Sequence, residues 1–344
     1  MRIAILTDAW FPQVNGVVRT LNKTIELLKA DGHDVLCINP QMFRTFPMPT
    51  YPDIRIAILP WRGVKNALDE YQPDAIHLAT EGTIGWAGRR WCLRRQRPYT
   101  TAYHTRFPEY LRLRAPIPLS LSYAFMRRFH GKAIRTMVAT RSMEKSLTER
   151  GFRNLVRWSR GVDLLRFQPA AQDIYDLPRP VMLHLGRVAP EKNIDAFLAL
   201  DMPGSKVVIG DGPAREELEK RYPEAHFLGY KENGDLARHL ASADVLVFPS
   251  RTDTFGLVML EAMASGVPVA GYPVEGPLDV VQNGHNGWID EDLGIAVEQA
   301  LKADREECRR FAEQYSWEAC TQQFLDNLQP LSEATDAVGE HATG

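Results

Sequence analysis

The chain opens on four apolar residues in a row, Ile3-Ala4-Ile5-Leu6, the signature of a short buried strand. A loop with Pro12, Asn15 and Gly16 follows. Over residues 17–29 the pattern turns helical, with Val17, Leu21, Thr24 and Leu28 on one face. Asp31-Gly32-His33 stops that helix, and Val35-Leu36-Cys37-Ile38 starts the next strand. Residues 74–78 and 100–103 read as further strands, and a helix can be drawn over 119–135. The rhythm restarts with a strand at 181–185, a helix over 191–200 and a strand at 206–210 closed by the turn Asp211-Gly212-Pro213. A helix ending at 218–221, a strand at 226–228, a helix at 236–242 and a buried strand at 244–248 come next. A helix at 257–264 and a strand at 267–270 complete the series. Strands alternating with helices predict parallel sheets with crossover helices.

The expected fold is therefore α/β, with two doubly wound, Rossmann-like domains facing across a cleft. The join is expected near 167–179, a polar stretch with Pro169 and Pro178, followed by Pro180. That gives domains 1–168 and 169–314, a last helix about 315–330 and a disordered tail 331–344. In open parallel sheets ligands bind outside the carboxyl ends of strands, so functional residues are expected in the loops that follow strands.

Composition adds exclusions. A length of 344 residues suits two domains, and 44% hydrophobic with 24% charged residues excludes disorder, collagen-like repeats and coiled coil. The first apolar run is closed by Asp8 and is too short for a signal peptide. No apolar run is long enough to predict a transmembrane helix. Cys37, Cys92, Cys308 and Cys320 are scattered, which argues against a metal knuckle or redox pair and fits a reducing cytoplasm. The net charge of −2 hides a split. Residues 1–88 hold 8 Lys/Arg and 9 Asp/Glu, 89–166 hold 19 and 4, and 167–344 hold 14 and 30.

Four segments carry candidate chemistry. Asn15-Gly16 precedes a helix whose first amides can meet a phosphate, although a lone glycine also suits an ordinary turn. Arg187 and Lys192 bracket a turn after the strand 181–185, where two cations can clamp a diphosphate or simply lie solvated. In Ser250-Arg251-Thr252-Asp253-Thr254-Phe255-Gly256-Leu257 a buried strand runs into a polar loop, and Gly256 opens a helix. The amides of Phe255, Gly256 and Leu257 make an anion or hydroxyl site. Glu261 stands inside an otherwise apolar helix, where a carboxylate needs partners such as sugar hydroxyls unless it faces solvent. Asp253 can bind a hydroxyl or cap the helix. His104 follows the strand 100–103 and can be a sugar contact or a structural histidine.

The ordered motifs PQVNGVVRT, YHTRFPEY, ATRSMEKSL, RGVDLLRF, GRVAPEKNI, VIGDGP and TDTFGLVMLEAMASGVPV resemble the family-4 retaining glycosyltransferases of the GT-B fold, over residues 1 to about 330. The family pairs two glutamates with seven residues between them. Here Asp253 takes the first place and Glu261 the second. The resemblance implies that Glu261 holds the nucleotide ribose, and that Asp253 with the Phe255, Gly256 and Leu257 amides holds the donor sugar and distal phosphate. It implies that Arg187 and Lys192 grip the diphosphate, Gly16 closes over it, and His104 meets the sugar near the reacting carbon. It also implies a metal-independent hexosyltransferase with no required cofactor, and a final helix packed on the N-terminal domain.

The basic segment 89–166 falls in the half that holds the acceptor in this family. On the helix drawn over 119–135, Leu121, Phe125, Met126, Phe129 and Ala133 share one side and Arg127, Arg128, Lys132 and Arg135 the other. Such a helix either lies on an anionic membrane or packs its apolar side into the core. Arg89, Arg90, Arg94, Arg95, Arg97, Arg112 and Arg114 nearby favour the membrane. The expectation is an enzyme on the inner face of the cytoplasmic membrane. It would move glucose or glucuronate from a UDP-sugar to a lipid acceptor such as diacylglycerol, with GDP-mannose as alternative donor. Nucleic acid is not expected, since no recognition-helix, RNP-like or zinc-finger signature occurs. A sugar-nucleotide-binding protein without transfer activity is the remaining alternative.

Overall fold

The computed structural model describes residues 1–13, 15–48, 51–114, 117–169, 174–252 and 255–328. Contacts divide the chain into two compact units, Met1–Ser159 with Glu318–Gly344, and Arg160–Trp317. The division falls at 159/160 rather than the expected 168/169. Residues 160–168 go with the second unit because Val162 N donates to Tyr315 O (2.9 Å) and Arg309 Nη1 donates to the carbonyl of buried Phe167 (2.7 Å). The expected tail 331–344 lies outside the described residues.

The first unit holds strands β1 (Arg2–Leu6), β2 (Asp34–Ile38), β3 (Thr45–Met48), β4 (Tyr51–Ala57), β5 (Ala75–Leu78), β6 (Thr100–Tyr103), β7 (Arg135–Val138) and β8 (Leu155–Arg157). Its helices are α1 (Gly16–Ala30), α2 (Trp61–Tyr71), α3 (Thr83–Arg95), α4 (Phe107–Arg114), α5 (Leu119–His130) and α6 (Arg141–Glu149). Six strands form a parallel sheet in the order β2-β1-β5-β6-β7-β8, and β3 and β4 form a separate antiparallel pair. The helix drawn over 119–135 stops at His130. Ala133 N turns back to His130 O, and Arg135 enters β7 opposite Thr100.

The second unit holds β9 (Val181–Leu185), β10 (Ser205–Ile209), β11 (His226–Gly229), β12 (Val245–Phe248), β13 (Val269–Gly271) and β14 (Gly287–Ile289). Its helices are α7 (Ile194–Leu198), α8 (Arg215–Arg221), α9 (Asn233–Ala241), α10 (Leu257–Ala264), α11 (Pro277–Val280), α12 (Leu293–Ala300) and α13 (Arg305–Ala312). The sheet is parallel, in the order β11-β10-β9-β12-β13-β14. The helix expected over 191–200 is broken, because Asn193 takes the left-handed conformation (φ 53°) between a 3-10 turn at Pro190–Lys192 and α7.

The last helix, α14 (Trp317–Asn327), serves the first unit. Trp158 is fully buried, donates from Nε1 to Cys320 O (3.2 Å) and packs on Phe324 at 4.9 Å between ring centroids. The ring of His77 lies against Phe324 as well, and burial pushes its imidazole down to about 3, so it is neutral in the fold.

Each sheet reverses its strand order once, between β1 and β5 and between β9 and β12. At the first reversal Asp8 is half-buried. Desolvation pushes its carboxyl above the usual range, while bonds from Ile84 N (2.8 Å) and Gly85 N (3.2 Å) pull against that. Asp8 thus caps α3 across the sheet edge. Gly82 makes room for it, since a Cβ there would stand 2.3 Å from Asp8 Cγ. At the second reversal Asn193 Nδ2 donates to Pro249 O (3.1 Å), joining the loops after β9 and β12.

Two outcomes follow for stability. Gly82→Ala displaces the Asp8 carboxylate and lowers unfolding free energy by about 1–3 kcal/mol, the range for a lost cap and a buried acceptor left unpaired. Urea melts followed by tryptophan fluorescence check this, and an unshifted midpoint contradicts it. Asn193→Gly loses only the tie to Pro249, about 1 kcal/mol. Asn193→Ala also meets left-handed strain of about 1–2 kcal/mol more. The order wild type, Gly, Ala is read from the same melts, and Ala equal to or better than Gly contradicts the account.

Candidate functional site

In the second unit, β9 is buried along its whole length and delivers the loop 186–193 at its carboxyl end. Gly186 N donates to Ile209 O (3.0 Å) and Val188 N to Asp211 O (2.9 Å), so this loop is stitched to the one after β10. The contact requires Gly210 (φ 136°), where a Cβ would stand 1.8 Å from Gly186 O. Arg187 is exposed on the loop, and Lys192 is half-buried at the end of the 3-10 turn.

Beside it, fully buried β12 delivers the loop that ends in Phe255 and Gly256. Phe255 is buried. Gly256 sits at φ 80°, and a Cβ there would meet the Phe248 ring at 2.8 Å, so this turn needs a glycine on both counts. Helix α10 then begins at Leu257 with no side-chain cap among the described residues. Unclaimed amides at a helix start, with the positive end of its dipole, attract an anion. Glu261 is 4% exposed on this helix, between Leu260 and Ala262 that are fully buried. The solvent-facing alternative for Glu261 is thereby removed. Asp253 lies outside the described residues.

The structure therefore puts Arg187, Lys192, Phe255 and Gly256 on neighbouring loops at one strand-order reversal, with Leu257 and Glu261 on the helix that follows the second loop. Gly16 and His104 belong to the first unit. Gly16 opens α1, but the Oδ1 of Asn15 already accepts from Val17 N and Val18 N, both at 3.0 Å. The first amides of α1 are thus claimed by the chain's own side chain. His104 is 7% exposed at the end of β6, with its ring edge-on to Trp158 at 5.6 Å.

Sequence reasoning missed Asn193, which joins the loops after β9 and β12, and Asp8, which caps α3. It also missed Glu81, whose Oε1 lies 3.1 Å from Nε2 of buried His130. Its signal was a Thr-Glu-Gly run directly after a strand.

The basic segment resolves into a face. On α3, Trp86, Arg89, Arg90, Leu93 and Arg94 fall at helical spacing on one side. Arg90 and Arg94 stack over Trp61 (4.4 and 5.3 Å), and Arg89 over Trp86 (5.1 Å). Trp86 touches Phe125 of α5 at 5.1 Å. Leu121 and Phe125 are exposed, 64% and 46%, so the expected common apolar side of α5 is split: Met126 and Phe129 enter the core and these two do not. Other cations hold the fold together. Arg95 pairs with Asp69 (3.0 Å), and Arg135 donates to Asp326 O (2.8 Å). Among the described residues no helix is long and apolar enough to cross a membrane.

Comparison with known proteins meets this geometry. The family model described as Glycosyltransferase Family 4 matches residues 14–166, and that described as Glycosyl transferases group 1 matches 179–303. A GDP-mannose-dependent alpha-mannosyltransferase of Corynebacterium glutamicum is 30% identical, over 95% of this chain and 88% of the relative. An alpha-monoglucosyldiacylglycerol synthase of Streptococcus pneumoniae is 27% identical, over 88% of this chain and 79% of the relative. Among solved structures, a sucrose-phosphate synthase from Thermosynechococcus elongatus superposes with TM-score 0.77 at 19% identity, covering 98% of this chain and 99% of that one. With two parallel-sheet units, both family segments and these relatives over nearly its full length, the chain belongs to the family-4 glycosyltransferases of the GT-B fold.

Proposed function

We propose that this glycosyltransferase moves a hexose from a nucleoside-diphosphate sugar to a hydroxyl of a membrane lipid, with retention of anomeric configuration. One observation carries the donor half: among the described residues no side chain caps the start of α10, and a buried carboxylate, Glu261, follows one turn later. That pairing suits a phosphate at the amides and sugar hydroxyls at the acid.

In this reading the Phe255, Gly256 and Leu257 amides take the distal phosphate, Arg187 and Lys192 take the diphosphate, and Glu261 takes the ribose. Asp253 takes donor sugar hydroxyls. When the bond from the anomeric carbon to the diphosphate breaks, negative charge grows on the leaving oxygen, and the two cations and the helix start stabilise it. The acceptor oxygen bonds to the same face of that carbon, and its proton passes to the leaving phosphate oxygen. The step needs neither a metal ion nor a protein nucleophile.

GDP-mannose takes first place as donor, because the relative at 30% identity carries it in its name. UDP-glucose or UDP-glucuronate stands second, on the 27% identical relative named as a monoglucosyldiacylglycerol synthase. The same relative supports a diacylglycerol-type acceptor. The Trp61–Trp86–Phe125 face with its stacked arginines is proposed to rest on an anionic membrane, where aromatic rings and cations both bind at the lipid interface.

Two measurements check this reading. With each donor and diacylglycerol in vesicles, product mass identifies the transferred sugar. Glu261→Ala and Lys192→Ala each lower kcat/KM by about 100-fold, the scale for loss of one charge-stabilising contact. Nucleotide binding without transfer or hydrolysis by wild type supports a sugar-nucleotide-binding protein instead. Vesicles rich in phosphatidylglycerol retain the protein at low salt and release it as salt rises, since Debye screening weakens surface charge. Absence of retention at low salt contradicts the membrane face.

A further inference from the structure

At the strand-order reversal of the first unit a chain of four polar side chains runs out from the middle of the sheet. Thr136 Oγ1 lies 3.0 Å from Thr101 Oγ1, which lies 2.9 Å from His130 Nδ1, and His130 Nε2 lies 3.1 Å from Glu81 Oε1. Thr136 and Thr101 are fully buried, the His130 side chain is 2% exposed and that of Glu81 is 19% exposed. The four come from β7, β6, α5 and the loop after β5, so distant parts of the unit converge on one carboxylate.

The pairing has a consistent direction. A carboxylate only accepts, so His130 Nε2–H donates to Glu81; with the ring neutral, Nδ1 then accepts from Thr101, whose oxygen is left to accept from Thr136. Burying so many polar groups is costly unless all are satisfied, and a satisfied network fixes its members in one arrangement. The network therefore holds one carboxylate oxygen still and presents the other at the carboxyl edge of the sheet. Among the described residues Glu81 Oε2 has no hydrogen-bond partner. The neighbouring carboxylate of Asp8 differs, because its oxygens take Ile84 N, Gly85 N and Thr80 Oγ1. Glu81 stands after β5, between the strand that carries Asp8 and the one that carries His104, at the position where open α/β sheets bind ligands.

We infer that Glu81 accepts a hydrogen bond from a hydroxyl of the acceptor, and that His130, backed by Thr101 and Thr136, is the positioning residue that aims it. The inference rests on the reading that the first unit takes the acceptor. The Glu81 carboxylate at this edge repels a phosphate, so the acceptor headgroup is a neutral polyol rather than a phosphorylated one.

The test uses the full chain with GDP-mannose and UDP-glucose, and two acceptors: dioleoylglycerol in vesicles and water-soluble methyl α-glucoside. Glu81→Gln keeps the shape and places an NH2 donor where an acceptor is needed. It raises acceptor KM by about 10- to 100-fold, the scale of a hydrogen bond to a charged group, while donor KM and acceptor-free donor hydrolysis stay at wild-type levels. His130→Gln keeps a donor toward Glu81 and stays close to wild type. His130→Leu shifts acceptor KM as Glu81→Gln does. An unchanged acceptor KM in Glu81→Gln overturns the inference. So does loss of donor hydrolysis in step with transfer, or a wild-type preference for phosphatidylinositol over dioleoylglycerol. If the lipid is inert and the glucoside is glycosylated, the lipid reading falls and Glu81 is judged on the glucoside.

Discussion

A parallel sheet needs a crossover after each strand, and this constraint places the chemistry of the whole chain. All strand-to-helix loops of a unit emerge on one edge, and the strand order reverses once, so two neighbouring loops part there and leave room. In the second unit the reversal lies between β9 and β12, and the loops with Lys192 and Gly256 follow those strands. In the first it lies between β1 and β5, and the loops with Asp8 and Glu81 follow those. The same constraint sets where glycine is needed. Gly82, Gly210 and Gly256 stand where a Cβ would strike Asp8, Gly186 O or the Phe248 ring.

The two candidate phosphate loops differ among the described residues. Both end in a helix start, and both contain a glycine. At α1 the amides of Val17 and Val18 are held by Asn15, so an anion there must displace a bond already made. At α10 no side chain among the described residues does this. A cap stabilises a helix by about 1 kcal/mol, and a helix left without one keeps its amides available to a ligand. The buried Glu261 adds the complementary half, an acceptor for hydroxyl protons in a dry environment.

Much of this was legible in the sequence, for physical reasons. Helix α10 matched its expected span because an apolar run opened by glycine leaves little choice. Glu261 stood out because a carboxylate amid Leu260, Ala262 and Met263 is expensive to bury alone. Local pattern failed where tertiary contacts decide. Residues 119–135 have continuous helical character, yet the segment breaks after His130 because Arg135 pairs with Thr100 in the sheet. Leu121 and Phe125 look like core residues by spacing and are exposed. The Asn193 break, the Asp8 cap and the Glu81–His130 chain each join residues far apart in sequence, and no window along the chain contains both partners.

The central claim is that a nucleoside diphosphate sits at the start of α10. Amide hydrogen exchange with and without GDP, and again with UDP, tests it most directly, because a bound phosphate protects the amides that hold it. The account predicts slowed exchange at 255–258 and over 187–192 for the nucleotide of the true donor, with little change at 16–18. Protection confined to 16–18, or no protection in the second unit with either nucleotide at saturation, contradicts it.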